Sequence, residues 1–141
     1  MNATMKLFGY PEGLVKEYDH WVLLLRPEQL TIGSMMLINK SEATSMGELS
    51  PEAFAELSQV TADTEKALDA AFGKEKINYL CFMLRDPHVH FHVLPRYSTD
   101  KTFGGVTFAD PTWPVHADFS HKTELTTEQF DELKAFVKSH Y

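Results

Sequence analysis

The chain has 141 residues, 43% hydrophobic and 23% charged, with a formal net charge of −7. That length supports one packed core with one principal site, and the composition excludes fibrous, low-complexity and disordered classes. The acidic balance argues against a broad basic face for a nucleic-acid polymer or an anionic membrane, while leaving room for a local anion pocket.

The start, "MNATMKLFGYPEG", lacks the continuous apolar core of a signal peptide and reads as a short polar lead-in. No segment approaches the ~20 apolar residues that span a bilayer. The single cysteine, Cys81, lies in an apolar run and reads as a small buried hydrophobe without a disulfide partner. A cytoplasmic location follows as the expectation.

"LVKEYDHWVLLLR" reads as two extended segments around a turn at Asp19 and His20, hence a hairpin. Pro27 breaks the run, Gly33 permits a tight bend, and "SMMLIN" gives a third strand. A helix then starts at Ser50, its N-cap, with Pro51 at the first helical position and Leu49 placed to staple against Phe54. Its expected core stripe is Phe54, Leu57, Thr61, Thr64, Leu68, Ala71 and Phe72, with Gly73 as the stop.

From Ile77 to Leu84 the chain is almost wholly apolar and reads as a strand, joined to the next by a tight turn at Arg85, Asp86 and Pro87. Residues 97–122 show little periodicity and read as a long irregular connection of the kind that borders sites. Phe103, Phe108 and Trp113 in it are large aromatics whose expected fate is burial against the sheet. A final helix over 126–140 carries a capping box of Thr126 and Gln129, a staple of Leu125 and Phe130, and an apolar face of Phe130, Leu133, Phe136 and Val137. This order predicts one α+β domain over 1–141 with a mainly antiparallel sheet.

The chemistry concentrates in "RDPHVHFHVLPRY", where His88, His90 and His92 alternate with apolar residues. On a strand these imidazoles share one face while Val89, Phe91 and Val93 take the other, which can pack under the long helix. Three readings stand side by side. The histidines form a solvated strand face, or they ligate zinc with one position open for hydrolysis, or they perform covalent catalysis. The last needs a neutral imidazole whose second nitrogen donates a hydrogen bond, freeing the first for attack.

"HVHFHVLPR" closely resembles the motif of the histidine triad (HIT) family of nucleotide hydrolases and transferases, including the two apolar residues after the last histidine and then Pro95 and Arg96. "GSMMLINK" is similar to that family's small-residue and apolar segment before a lysine, and "INYL" to the strand that precedes the triad. The resemblance implies a curved antiparallel sheet of about five strands with one long helix and a C-terminal helix, often completed as a homodimer. It implies His90 as nucleophile on a nucleoside α-phosphorus, His92 as a phosphate ligand, and His88 as the residue whose backbone carbonyl orients the middle imidazole. The substrate is then a small-molecule nucleotide, of the dinucleoside polyphosphate or nucleoside phosphoramidate class. No metal and no cofactor are expected.

Four departures accompany the resemblance. Ser34 stands where many relatives carry a further histidine, and Arg26 stands near the position of an acidic ribose ligand, with Glu28 able to compensate. Arg85, Asp86 and Pro87 replace a longer loop that handles phosphate and leaving group, which makes Arg85 the nearest cation for phosphate oxygens. The cysteine-based zinc site of some relatives is excluded by the single cysteine. The expected substrate-binding set is Arg85, Ser34, Arg26, Glu28 and Arg96, around the catalytic His88, His90 and His92. A hydrolase is the leading expectation; a nucleotidyltransferase, a catalytically weak nucleotide-binding module and a zinc-dependent hydrolase are the alternatives.

Overall fold

A computed structural model describes residues 1–141. In place of a polar lead-in the chain begins with a short helix, α1 (Ala3–Leu7), capped by the Asn2 side chain, which accepts from the Met5 N–H at 2.9 Å. The Asn2 amide also donates to the carbonyls of Asn39 and Ser41, both at 2.8 Å, tying the N-terminus to the sheet.

β1 (Leu14–Glu17) and β2 (Trp21–Leu25) form the expected hairpin, followed by the two-residue β3 (Glu28–Gln29) and by β4 (Met35–Asn39). Gly33, at φ +88°, makes the bend between β3 and β4; a Cβ there would meet Leu68 and Phe72 at 3.0 Å, so packing and backbone both require glycine. After a 3-10 turn at Met46–Glu48 comes α2 (Pro51–Phe72), whose N-cap Ser50 accepts from Ala53 N–H and whose C-cap Gly73 is left-handed. β5 (Lys76–Leu80), β6 (His90–Arg96), the small hairpin β7 (Lys101–Phe103) and β8 (Val106–Phe108), β9 (Thr123–Glu124) and α3 (Thr127–Lys138) complete the chain.

The main sheet is antiparallel, with strand order β1-β2-β4-β6-β5, an α+β architecture as expected. Its two faces are chemically distinct because side chains alternate along strands. One face carries Trp21, Leu23, Leu25, Met35, Leu37 and Val93 into the principal core under α2 and α3. Trp21 fastens α2 there by donating its indole N–H to the Ala53 carbonyl at 2.8 Å. The opposite face carries Val22, Leu24, Met36 and Ile38, buried beneath Met5 of α1. On it stand His90, paired with Ile38, and His92, paired with Met36.

Several expectations are corrected. The α2 stripe turns toward Ala53, Val60, Thr64, Ala67 and Leu68, leaving Phe54 exposed, because Trp21 grips the helix at Ala53 and sets its rotation. The expected tight hairpin before the triad does not form: β5 stops at Leu80, paired with His92, and Cys81 to Val89 make a loop. β5 is an edge strand, so its apolar continuation is free to leave the sheet and turn over the histidine face. Cys81 therefore lies half-buried in a loop rather than in the core, its thiol directed at the Met83 sulfur. The segment 97–122 is more regular than expected, holding the β7–β8 hairpin, and β9 just beyond it pairs with β3.

Candidate active site

β6 begins at His90, so His88 precedes the strand and only His90 and His92 stand on it as alternate residues. His90 is 1% exposed, and its Nδ1–H donates to the His88 carbonyl at 2.6 Å. A carbonyl can only accept, so Nδ1 carries the proton and the neutral ring keeps its lone pair on Nε2. Nε2 has no protein hydrogen-bond partner. This is the tautomer a nucleophilic or basic imidazole requires.

His88 is itself held at both ring nitrogens. Nε2 lies 3.0 Å from a Glu42 carboxylate oxygen and Nδ1 lies 2.9 Å from Thr4 Oγ1. The carboxylate accepts, so Nε2–H donates and the Thr4 hydroxyl donates to Nδ1 in the neutral ring. The His88 backbone N–H approaches the same Thr4 oxygen at 3.4 Å, as an oxygen that is donating its own hydrogen allows. Thus α1 and the Glu42 loop together fix the residue whose carbonyl orients His90.

His92 is held by a different partner: Arg26 Nη1 lies 2.9 Å from its Nδ1. Burial, the Arg26 charge and the neighbouring His90 push its pKa down from 6.5 to about 4. His90 and His92 meet edge to face at 5.6 Å between ring centroids. Aromatic rings enclose them. Phe119 stands edge-on to His92 at 5.1 Å, Phe82 lies 5.9 Å from His92, and Phe8 lies 5.9 Å from His90. Phe82 and Phe119 also touch each other edge to face at 6.1 Å, so the Cys81–Val89 loop and the 117–122 segment meet over the triad face.

Beside these rings opens a cleft of about 420 Å³ whose lining includes Phe8, Arg26, Glu28, Arg85, Asp86 and Lys122. Phe8 and Arg26 connect it to His90 and His92 respectively. A larger cavity of about 620 Å³ runs along the edge strand β5 under residues 113–117 and contains none of the triad histidines. Neither is lined by a triad histidine. The smaller cleft is the candidate site because two of its lining residues, Phe8 and Arg26, contact His90 and His92, and because Arg26, Arg85 and Lys122 bring cations to it.

The five residues expected to bind substrate separate here. Arg85 and Arg26 line the cleft, as does Glu28, whose carboxylate is paired with Lys122 at 2.7 Å. That ion pair lowers the Glu28 pKa, with the Lys122 hydrogen bond as the largest cause. Ser34 does not reach the cleft: it is fully buried, with its hydroxyl donating to the Thr31 carbonyl at 2.7 Å and accepting from Thr31 N–H. Arg96 is turned away as well. Its Nε and Nη2 donate to the two Asp110 oxygens at 2.7 and 2.9 Å, and it further bonds Asn78 and the Val115 carbonyl. A guanidinium so occupied anchors the 109–115 segment to the sheet.

The zinc alternative requires three imidazoles around one point. Both His88 nitrogens instead engage Thr4 and Glu42, the Nδ1 atoms of His90 and His92 engage the His88 carbonyl and Arg26, and no group of three His, Cys, Asp or Glu side chains is arranged to hold a metal ion.

Sequence reasoning misses Thr4, Glu42, Phe8, Phe82, Phe119 and Lys122. The first and third were signalled by Asn2 as an N-cap and Gly9 as a stop, which together mark a short helix. Phe119 and Lys122 arrive through the β3–β9 pairing, a long-range contact of two-residue strands with no periodicity to betray it. Of the aromatics in 97–122, Phe108 is buried in the core, Phe103 packs against it and Trp113 lines the edge cavity.

Comparison with known proteins agrees with this fold. A model of the HIT domain matches residues 10–99. The chain resembles a histidine triad protein from Sinorhizobium meliloti 1021, with TM-score 0.77 and 19% identity over 100% of this chain and 96% of that one. It is similar to a histidine triad protein from Bradyrhizobium japonicum, with TM-score 0.70 and 14% identity over 99% and 95%. It is also similar to the Plasmodium falciparum diadenosine triphosphate hydrolase solved with cyclomarin A, with TM-score 0.67 and 13% identity over 92% and 76%.

Proposed function

The chain belongs to the HIT domain family, and from that membership we propose that it is a nucleotide hydrolase acting at a nucleoside α-phosphate through a covalent nucleotidyl intermediate on His90. The observation that carries this reading is the 2.6 Å hydrogen bond from His90 Nδ1 to the His88 carbonyl, which leaves the Nε2 lone pair without a protein partner. Substrates are phosphoanhydrides or phosphoramidates of nucleosides.

The reaction runs in two displacements. His90 Nε2 attacks the α-phosphorus; the phosphorus–nitrogen bond forms while the bond to the leaving oxygen or nitrogen breaks, and the leaving group departs with the electron pair and takes up a proton. Water then attacks the same phosphorus, the phosphorus–nitrogen bond breaks with its pair returning to Nε2, and the nucleoside monophosphate leaves. Splitting one displacement into two lowers each barrier. His92 binds a phosphoryl oxygen, and Arg85, at the rim of the same cleft, offers a planar fork of N–H donors to the phosphate chain. His88 serves through its carbonyl, with Thr4 and Glu42 behind it.

The test is turnover of a panel of adenosine and guanosine polyphosphates and phosphoramidates, with nucleoside monophosphate as the product followed. His90→Asn should lose turnover while retaining nucleotide affinity. Wild-type protein that binds nucleotides without releasing product would make it a binding module, and activity abolished by a chelator and restored by zinc would make it a metal hydrolase.

A further inference from the structure

Arg26 stands at the end of β2, near the place where the sequence led us to expect a ribose ligand, yet its contacts lead elsewhere. Its backbone N–H donates to the Ser34 carbonyl at 3.1 Å and its carbonyl accepts from the Gln29 amide at 2.7 Å. Its Nε donates to the Glu28 carbonyl at 3.2 Å. The guanidinium is thus located by the β2–β4 connection before it meets any ligand. From there Nη1 reaches His92 Nδ1 at 2.9 Å and the Met36 sulfur at 3.5 Å.

A guanidinium has donors only and keeps its charge throughout the physiological range. Whatever faces it must accept, so Nδ1 of His92 is the unprotonated nitrogen and the proton of the neutral ring sits on Nε2. His90 and His92 are therefore locked in opposite tautomers, one by a carbonyl acceptor and the other by a guanidinium donor. We infer that Arg26 is a positioning residue for His92: it fixes the ring as an Nε2–H donor and seats a permanent positive charge behind it. The substrate group that meets His92 must then be an acceptor, a phosphoryl oxygen rather than a hydroxyl to be deprotonated.

The low pKa of His92 agrees with this arrangement, since burial and the adjacent Arg26 both disfavour imidazolium. The consequence is a division of roles between two chemically identical rings. His90 keeps a lone pair for phosphorus, and His92, barred from acting as a base at Nε2, neither competes for the electrophile nor removes a proton from it. Phe119 and Phe82 pack against the same His92 ring that Arg26 holds, at 5.1 and 5.9 Å between centroids.

The role assigned to His92 rests on the proposed nucleotide reaction, but the tautomer does not, and the test keeps the two apart. Full-length protein with 15N-labelled histidine is examined at neutral pH by long-range proton–nitrogen correlation. The expected His92 pattern is an unprotonated Nδ1 and a protonated Nε2. Arg26→Met should convert it to a mixture of tautomers titrating nearer the ordinary histidine value, and Arg26→Lys should restore much of the wild-type pattern. A wild-type spectrum with the proton on Nδ1 would overturn the inference, and needs no variant; so would an Arg26→Met spectrum unchanged from wild type.

In single-turnover assays with an adenosine phosphoramidate, Arg26→Met should slow the chemical step by roughly tenfold to hundredfold with a smaller change in KM. A raised KM with an unchanged chemical step would return Arg26 to substrate binding. Protein inert toward every nucleotide tested would remove the reaction while the spectra still decide the tautomer. If Arg26→Met fails to fold, the wild-type and Arg26→Lys spectra decide it.

Discussion

Replacing Arg96 by Met distinguishes an anchor from a substrate ligand. The residue lies in the most diagnostic stretch of the sequence, but its guanidinium and the Asp110 carboxylate are a buried pair, with side chains 5% and 2% exposed. Two parallel bonds at 2.7 and 2.9 Å join them, and Asn78 and the Val115 carbonyl take further donors. Met fills much of the same volume without a charge. The Asp110 carboxylate is then left buried with the Tyr97 N–H, at 3.1 Å, as its remaining donor. Breaking a buried ion pair from one side costs about 3–5 kcal/mol. For a chain of this size that corresponds to a fall in Tm of roughly 10–20 °C.

Urea unfolding followed by circular dichroism measures the loss directly. The double variant Arg96→Met with Asp110→Leu should recover a large part of it, because no uncompensated charge remains. In the folded fraction KM for a nucleotide should stay near the wild-type value. A stability loss below about 1 kcal/mol together with a raised KM would refute the anchoring role and restore Arg96 to the substrate.

Thr4→Val removes the hydroxyl that meets His88 Nδ1 at 2.9 Å and should cost about 1–2 kcal/mol in urea unfolding, with a slower chemical step as the His88 carbonyl loosens. Gly33→Ala should destabilise by about 1–3 kcal/mol, through both its positive φ and the 3.0 Å approach of Leu68 and Phe72; a neutral effect would mean the bend has slack. His92 has its pKa lowered in the fold, so its contribution to stability is fully present above pH 6.5 and is lost as pH falls through about 4. Discounted for partial exposure of the ring, that loss is about 2 kcal/mol. It should disappear in His92→Gln when urea midpoints are compared at neutral and acidic pH.

The sequence makes legible whatever is written in local periodicity and caps. Ser50 and Thr126 cap their helices as expected, and the β1–β2 hairpin and the third strand stand where the apolar runs lie. Alternation alone separates Val93 in the core from His90 and His92 on the other face. What is misread depends on tertiary context. "INYLCFML" has strand composition throughout, yet only its first part finds a partner, and Phe82 leaves the sheet edge to pack on His92 and Phe119.

Site residues divide along the same line. The His88 carbonyl bond to His90 follows from the motif, whereas the partners of Arg26 and Arg96 depend on which strand ends and loops meet in space. Both arginines are polar residues in suggestive positions, and both spend at least part of their donor set on protein. Ser34 shows the same limit: a small polar residue after a glycine fits a site or a turn equally well, and here the Thr31 carbonyl claims its hydroxyl.

The central claim, that His90 carries the nucleotidyl group, is tested most directly by trapping it. The protein is mixed with an excess of a nucleoside phosphoramidate or dinucleoside polyphosphate, quenched in base to preserve a phosphorus–nitrogen bond, weighed intact and mapped by peptide mass. One nucleoside monophosphoryl group per chain, located on His90 and absent from His90→Asn, is the predicted result. An adduct on another residue, or one that persists when His90 is replaced, would contradict it.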